Sequence, residues 1–292
     1  MNIEKSLIVN PLWNTTPAEH QIDLLNNIIN DGFFSTIEIW DTSDADMLEI
    51  LRNNAKHINF DVSLSVLMQK HGVPNCVSST KQAEEWTAYI IERIQSLSQV
   101  GIKSISISSP INNPNVDRKK QLEFFKVAIT EVCRNAFQKN MIVCIEPFDI
   151  SVDKKRILGT TLEIQDIFEH KICDNLFLTW DLGHVCLNNE DYLTSLESLL
   201  SYTKRIHISN YNLDYNSIYF GDKHLPFNKA GMIREDDITA IVRFLKQNNE
   251  NCMLGRNITI GFEVATNELI SSVYCFEQTY KYVCSIIDTY LC

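Results

Sequence analysis

Several short apolar runs in this chain end in, or enclose, a residue able to do chemistry. Met141 to Ile145 runs straight into Glu146-Pro147, and Leu176 to Trp180 ends in Asp181, with His184 three residues on. Arg205 to Ser209 contains His207, Ile258 to Phe262 ends in Glu263, and Thr36 to Trp40 carries Glu38. Runs of this length, rich in β-branched and aromatic residues, read as buried strands. An acid or imidazole at the mouth of a buried strand costs several kcal/mol unless it is paired or holds a metal. Taken singly, each has a plain structural explanation: Asp181 as a helix cap, Glu146 as a surface acid, His207 as a satisfied core histidine. Four consecutive strands that each deliver such a group to one rim are harder to explain so. A divalent cation resolves the conflict. Three carboxylates and one imidazole form a mostly hard, oxygen-rich set that suits Mn²⁺, Mg²⁺ or Co²⁺ and admits Zn²⁺, with positions left for a substrate carbonyl and adjacent hydroxyl. Asp181 and His184 would face opposite ways on a straight strand. Gly183 permits a bend that returns His184 to the rim on the substrate side.

The elements that must position these groups alternate along the whole chain. Strands are predicted at Lys5 to Asn10, Thr36 to Trp40, Ile58 to Leu67, Lys103 to Ser108, Met141 to Ile145, Leu176 to Trp180, Arg205 to Ser209 and Ile258 to Phe262. Between them lie helical stripes, such as Ala83, Trp86, Ile90, Ile94 and Leu97, and Leu122, Phe125, Ile129, Val132 and Ala136. Thr16-Pro17-Ala18-Glu19 and Thr160-x-x-Glu163 read as capping boxes. A long polar loop, 210–234, precedes the helix carrying Ile238, Ile241, Val242 and Leu245. Eight strand–helix pairs without a linker rich in Pro, Gly or Ser predict an α/β fold, a (β/α)₈ TIM barrel over residues 1–292 as a single domain. The rival doubly wound sheet lacks a Gly-x-Gly-x-x-Gly after the first strand.

Composition narrows the function classes. A net charge of −11, from 26 basic and 37 acidic residues among 292, opposes broad electrostatic binding to nucleic acid or anionic membrane. No apolar run of about 18 residues suggests a membrane span, and Met1 to Trp13 lacks the pattern of a signal peptide. The nine cysteines are scattered without a Cys-x-x-Cys, which reads as reduced core thiols in a cytoplasmic protein. A homo-oligomer is left open.

Glu146-Pro147, Asp181-Leu182-Gly183-His184, Arg205-Ile206-His207, Asp222-Lys223-His224-Leu225-Pro226 and Gly261-Phe262-Glu263, taken in order, resemble the strand-end motifs of the sugar phosphate isomerase/epimerase family. That family belongs to the xylose-isomerase-like, endonuclease-IV-like barrel superfamily. The resemblance spans the chain, including Ile37-Glu38-Ile39-Trp40. It implies that Glu146, Asp181, His207 and Glu263 bind one divalent cation, Mn²⁺ foremost, and that Glu146 and Glu263 flank the substrate as acid/base groups. His184, Glu38, Asp222 and His224 are expected on the substrate side. There are departures. Phe227-Asn228-Lys229-Ala230-Gly231 replaces the family's Pro-Gly-Glu-Gly-like turn. Ser65 and Ser108 stand near the places where the endonuclease branch has zinc-binding histidines, with His71 several residues too late.

The implied chemistry is proton abstraction next to a carbonyl of a small polyhydroxylated substrate, through a metal-stabilised enediolate. Proton return to the neighbouring carbon isomerises; return to the opposite face epimerises; loss of a β-hydroxyl dehydrates, as in dehydroshikimate- and inosose-type dehydratases. Arg156, beside Lys154 and Lys155, is a candidate clamp for a phosphate or carboxylate. Trp13 and Trp40 are candidates to stack on a sugar face. Competing classes are phosphodiester hydrolysis on abasic DNA and a ligand-binding barrel without turnover.

Overall fold

The computed structural model describes residues 3–9, 18–65, 68, 71–170, 173–227, 231–248, 257–265 and 273–291. Eight parallel strands close into a barrel: β1 (Ile3–Ile8), β2 (Thr36–Trp40), β3 (Asn59–Ser63), β4 (Ser104–Ser108), β5 (Ile142–Glu146), β6 (Leu176–Asp181), β7 (Thr203–Ser209) and, numbered β10 because a short ribbon intervenes, Ile258–Glu263. Around it run α1 (Ala18–Asp31), α2 (Ala45–Asn54), α3 (Thr80–Gln99), α4 (Arg118–Gln138), α5 (Thr161–Glu169), α6 (Leu182–Leu187), α7 (Tyr192–Leu199), α8 (Glu235–Gln247) and α9 (Val273–Leu291). The (β/α)₈ architecture expected from the alternation is the one observed.

The strands are built from an alternating sequence, and the alternation separates two kinds of interior. Ile37 and Ile39, Ile105 and Ile107, Ile206 and Ile208, and Ile260 and Phe262 are buried in the apolar layer shared with the helices. Their neighbours point the other way, into the barrel. There Ser6, Glu38, Asp61, Ser104, Ser106 and Arg205 are all buried, and bonds join strands that are not neighbours in the sheet. Arg205 of β7 reaches Asp61 of β3 and Ser104 of β4, and His207 reaches Glu38 of β2. Branched apolar residues usually fill this space; here much of it is a polar and ionic network.

Helix starts follow local chemistry. Ser79, Asp117 and Asp191 cap α3, α4 and α7, and Thr160 with Glu163 completes the expected capping box on α5. The box expected at Thr16 to Glu19 and the segment 228–230 lie outside the described residues. Boundaries differ from expectation in several places, strand seven beginning two residues early at Thr203. The first strand begins and ends two residues early. The third stops at Ser63, although the Leu64 amide still bonds Ser106 O at 3.0 Å. The 210–234 loop contains an antiparallel ribbon, β8 (Tyr211–Asn212) paired with β9 (Gly221–Asp222). Two-residue strands leave no periodic signal in a sequence. Among the described residues no helix is long and apolar enough to cross a membrane.

Candidate metal centre

Strand register brings the strand-end groups together. Ser108 pairs with Glu146, Asp181 with His207, and Ser209 with Glu263. The β6–β7 register shifts between Leu178 and Thr179, an irregularity of the kind that re-aims side chains beside functional sites. One ligand atom from each of Glu146, Asp181, His207 and Glu263 lies within 4.8 Å of the others. The His207 imidazole spans the centre. Its Nδ1 is 3.0 Å from Glu146 Oε1 and 3.6 Å from Glu263 Oε2, while its Nε2 lies 2.8 Å from Glu38 Oε2.

Asp181 does two jobs with its two oxygens. Oδ1 accepts from the His184 amide and from Ser209 Oγ, both at 2.8 Å, and so caps α6. Oδ2 is buried and has no hydrogen-bond partner among the described residues. A buried carboxylate oxygen without a partner is costly, and this one belongs to a cluster of two more carboxylates and an imidazole. Those donors fit a divalent cation of the oxygen-preferring type.

The electrostatics fit the same arrangement. Burial pushes the Glu263 carboxyl up to about 7, with Glu146 and Asp181 adding to the rise and His224 and His207 opposing it. Burial also raises Asp181. Burial works against a charged His207, but the charges of Glu38 and Glu146 outweigh it and lift the imidazole well above its usual range. Glu38 is the converse case: burial disfavours its charge, and His207 and Arg205 overcome this and hold it at about 2.

Beside this centre lies a second polar group built on the ribbon. Asp222 is enclosed by His224 Nε2 at 3.1 Å, Lys154 Nζ at 3.2 Å and His184 Nε2 at 3.8 Å. Burial opposes the Asp222 charge, yet His224, His184 and Lys154 hold its carboxyl well below the ordinary range. Burial lowers His224, but Asp222 and Glu263 raise it to about 10. His224 Nε2 is also 3.7 Å from Glu263 Oε1, which joins the two groups.

Among the described residues, each remaining sequence-predicted residue has a definite place. His184 is buried, with Phe148 edge-on at 4.2 Å and its Nδ1 without a partner among the described residues. It reaches the rim as the third residue past the strand, in the first turn of α6. Gly183 therefore makes no special bend, a correction to the expectation. Its role is close approach: a Cβ there would meet Ser209 Oγ at 2.3 Å. Arg156 lies over the Phe148 ring, 5.3 Å from its centroid, and Nη1 donates to Asn75 Oδ1 and Ser109 O at 3.1 Å each. Its guanidinium is partly spent on the fold. Trp40 ends β2 half-buried, on the face of Glu38 and one step nearer the rim. Trp13 lies outside the described residues. On Glu38, Ser6 Oγ donates to Oε1 and His207 Nε2 meets Oε2, so both oxygens are engaged by the chain itself.

Sequence reasoning passed over Lys154 as a partner of Asp222, Ser209 as the support of Asp181, and Phe148. Loop packing places Lys154 and Phe148, the end of β7 places Ser209, and no spacing announced any of the three. Ser65 and Ser108 bond each other at 2.6 Å, and exposed His71 tilts against Tyr89.

A family model of the xylose isomerase-like TIM barrel matches residues 30–268. No curated protein matches the chain. Among solved structures, the IolI protein with a bound zinc atom superposes with a TM-score of 0.71 at 14% identity, covering 99% of both chains. D-psicose 3-epimerase with D-tagatose, from Clostridium cellulolyticum H10, gives 0.69 at 12% identity over 98% of this chain and 97% of that one. The probable 3-DHS dehydratase AsbF, involved in petrobactin synthesis, from Bacillus anthracis gives 0.64 at 14% identity over 96% and 98%. At such identities the likeness to these structures is one of fold.

Proposed function

Because the chain belongs to the xylose isomerase-like TIM barrel family, we propose that it is a divalent-cation-dependent enzyme that isomerises or epimerises a sugar, keto-sugar or sugar phosphate. The observation that carries this is the convergence of Glu146, Asp181, His207 and Glu263, with Asp181 Oδ2 buried and unpartnered. These four residues hold the cation, His207 through Nδ1, with Mn²⁺ foremost and Mg²⁺, Co²⁺ or Zn²⁺ as alternatives. When bound, it supplies Lewis acidity at the substrate carbonyl.

The chain's own groups move the proton. Glu146 and Glu263 approach the same ring nitrogen of His207, Nδ1, and one of them, as carboxylate, removes the proton next to the carbonyl. The other, or the same group, returns it. His184, His224, Asp222 and Arg156 orient the hydroxyls or an anionic end of the substrate, and Trp40 stacks on its apolar face. Phe148, in contact with both His184 and Arg156, keeps water from that side. Six free cysteines among the described residues support a reducing, cytoplasmic setting.

A dehydratase is the second reading, and His224 favours it. An imidazolium 3.7 Å from Glu263 is placed to protonate a departing β-hydroxyl. An abasic-site endonuclease is disfavoured by the Ser65–Ser108 pair and by the net charge of −11. Metal analysis with Glu263→Gln tests the proposal. One Mn, Mg or Co per chain is expected, with turnover abolished in a variant that keeps its fold. Three zincs per chain, or full activity in that variant, would sink it.

A further inference from the structure

Beneath His207 a ladder of buried charges runs down the barrel interior. Asp61, Arg205, Glu38 and His207 are each at most 5% exposed, and their charges alternate in sign. Arg205 Nη2 is 3.0 Å from Asp61 Oδ1, Arg205 Nε is 4.0 Å from Glu38 Oε2, and Glu38 Oε2 is 2.8 Å from His207 Nε2. Hydroxyls add further bonds: Ser6 donates to Glu38, and Ser104 and Ser106 donate to Asp61. Arg205 and His207 are two apart on β7 and share its inward face.

A buried ion network of this kind brings little net stability over apolar packing, and branched apolar side chains would fill a barrel without it. Its geometry points elsewhere. An imidazole can offer Nδ1 to a cation only if the proton sits on Nε2, and a carboxylate facing Nε2 selects that tautomer, sets the ring plane and raises the basicity of the ring. We infer that Glu38 is a positioning residue that holds His207 with Nδ1 toward the cation, and that Arg205 and Asp61 hold Glu38 in place. The inference rests on the proposed metal centre. It gives Glu38 a role through His207 and no contact with substrate.

Two variants and two readouts test it. Glu38→Gln keeps the shape and removes the charge. Ser6→Ala removes only the hydroxyl on Glu38 Oε1 and guards against a Glu38 variant that does not fold. Mn²⁺ affinity, measured by calorimetry on folded protein, is expected to fall about 10- to 100-fold in Glu38→Gln and about three- to tenfold in Ser6→Ala. In the Zn²⁺-loaded parent, ¹⁵N shifts of the histidine rings are expected to show His207 protonated at Nε2 and ligated at Nδ1. A merely structural Glu38 would lower thermal stability without moving affinity in the folded protein. Affinity within twofold of the parent in every variant that folds, or a His207 ligated through Nε2, overturns the positioning role alone. A parent that binds no divalent cation overturns this role and the proposed function together.

Discussion

Asp181→Asn separates the structural work of this side chain from its ligand work. The asparagine Oδ1 can still accept from the His184 amide and Ser209 Oγ, because Asn and Asp are equivalent as helix caps to within a few tenths of a kcal/mol. What changes is the atom at Oδ2, which becomes an amide donor facing Glu146 and Glu263. Two opposite effects follow. The metal-free chain loses a buried carboxylate whose charged form burial disfavours, so its stability at pH 7 should hold or rise, by roughly 1–3 kcal/mol. The cation loses one of four ligands, and affinity should fall by more than about 100-fold, the upper range for a supporting residue. At a cation concentration of 100 times the parent Kd, the parent gains about 2.7 kcal/mol on binding, and a variant 100-fold weaker gains only about 0.4 kcal/mol. Thermal unfolding followed by circular dichroism, with Mn²⁺ and with a chelator, reads both effects in one experiment. The expected result is a metal-free midpoint equal to or above the parent's and a lost Mn²⁺-induced shift. A metal-free variant destabilised by more than about 2 kcal/mol, the cost of a lost cap, together with an intact Mn²⁺ shift, would refute the reasoning.

Other perturbations discriminate as well. Affinity for the cation should rise with pH from about 5 to above 7. Glu263 and His207 both have raised values in the folded chain, so both hold protons that binding must release. By the same sign, the Glu263 contribution to metal-free stability is present below the ordinary 4.5 and lost as pH rises through about 7. Calorimetry across pH checks the first expectation, and a flat profile would count against it. Gly183→Ala should cost about 1–3 kcal/mol, because its Cβ would stand 2.3 Å from Ser209 Oγ, and turning that hydroxyl aside breaks its bond to Asp181 Oδ1. It should weaken the cation as well, since Ser209 supports Asp181, and a variant with parental midpoint and affinity would dismiss the close-approach role. Arg93→Ala leaves buried Asp41 without its bidentate partner at 2.7 Å. It should cost about 3 kcal/mol with no change in the Mn²⁺ affinity of the folded protein, and a changed affinity would mean that the centre is coupled to that pair.

Much of this molecule is written into its alternation. Ser104-Ile105-Ser106-Ile107-Ser108 and Thr36-Ile37-Glu38-Ile39-Trp40 each carry a period of two, and the apolar half of every such strand faces helices whose own stripes are legible. The strand ends followed, and with them the four groups that converge. Harder to see was what the polar half does. A serine or threonine inside a strand reads as a solvent-facing position, yet here Ser6, Ser104 and Ser106 line a closed interior and bond to buried charges. Glu38 was visible as a chemical group but not as the partner of His207, because the two strands lie across the barrel from each other. Asp181 was both a cap and a rim acid, since a carboxylate has two oxygens and the fold uses them separately. The ribbon that carries Asp222 left no pattern, because pairs of residues show no period.

Solvent deuterium uptake tests the central claim most directly. Ketoses, their phosphates, inososes and dehydroshikimate are incubated in deuterium oxide with the Mn²⁺-loaded chain, and label at the carbon next to the carbonyl is followed by NMR and mass spectrometry. The expected result is label in at least one substrate, abolished by Glu263→Gln. No label from any of them, in a chain shown to hold its cation, would contradict the assignment of Glu146 and Glu263 as the groups that move a proton.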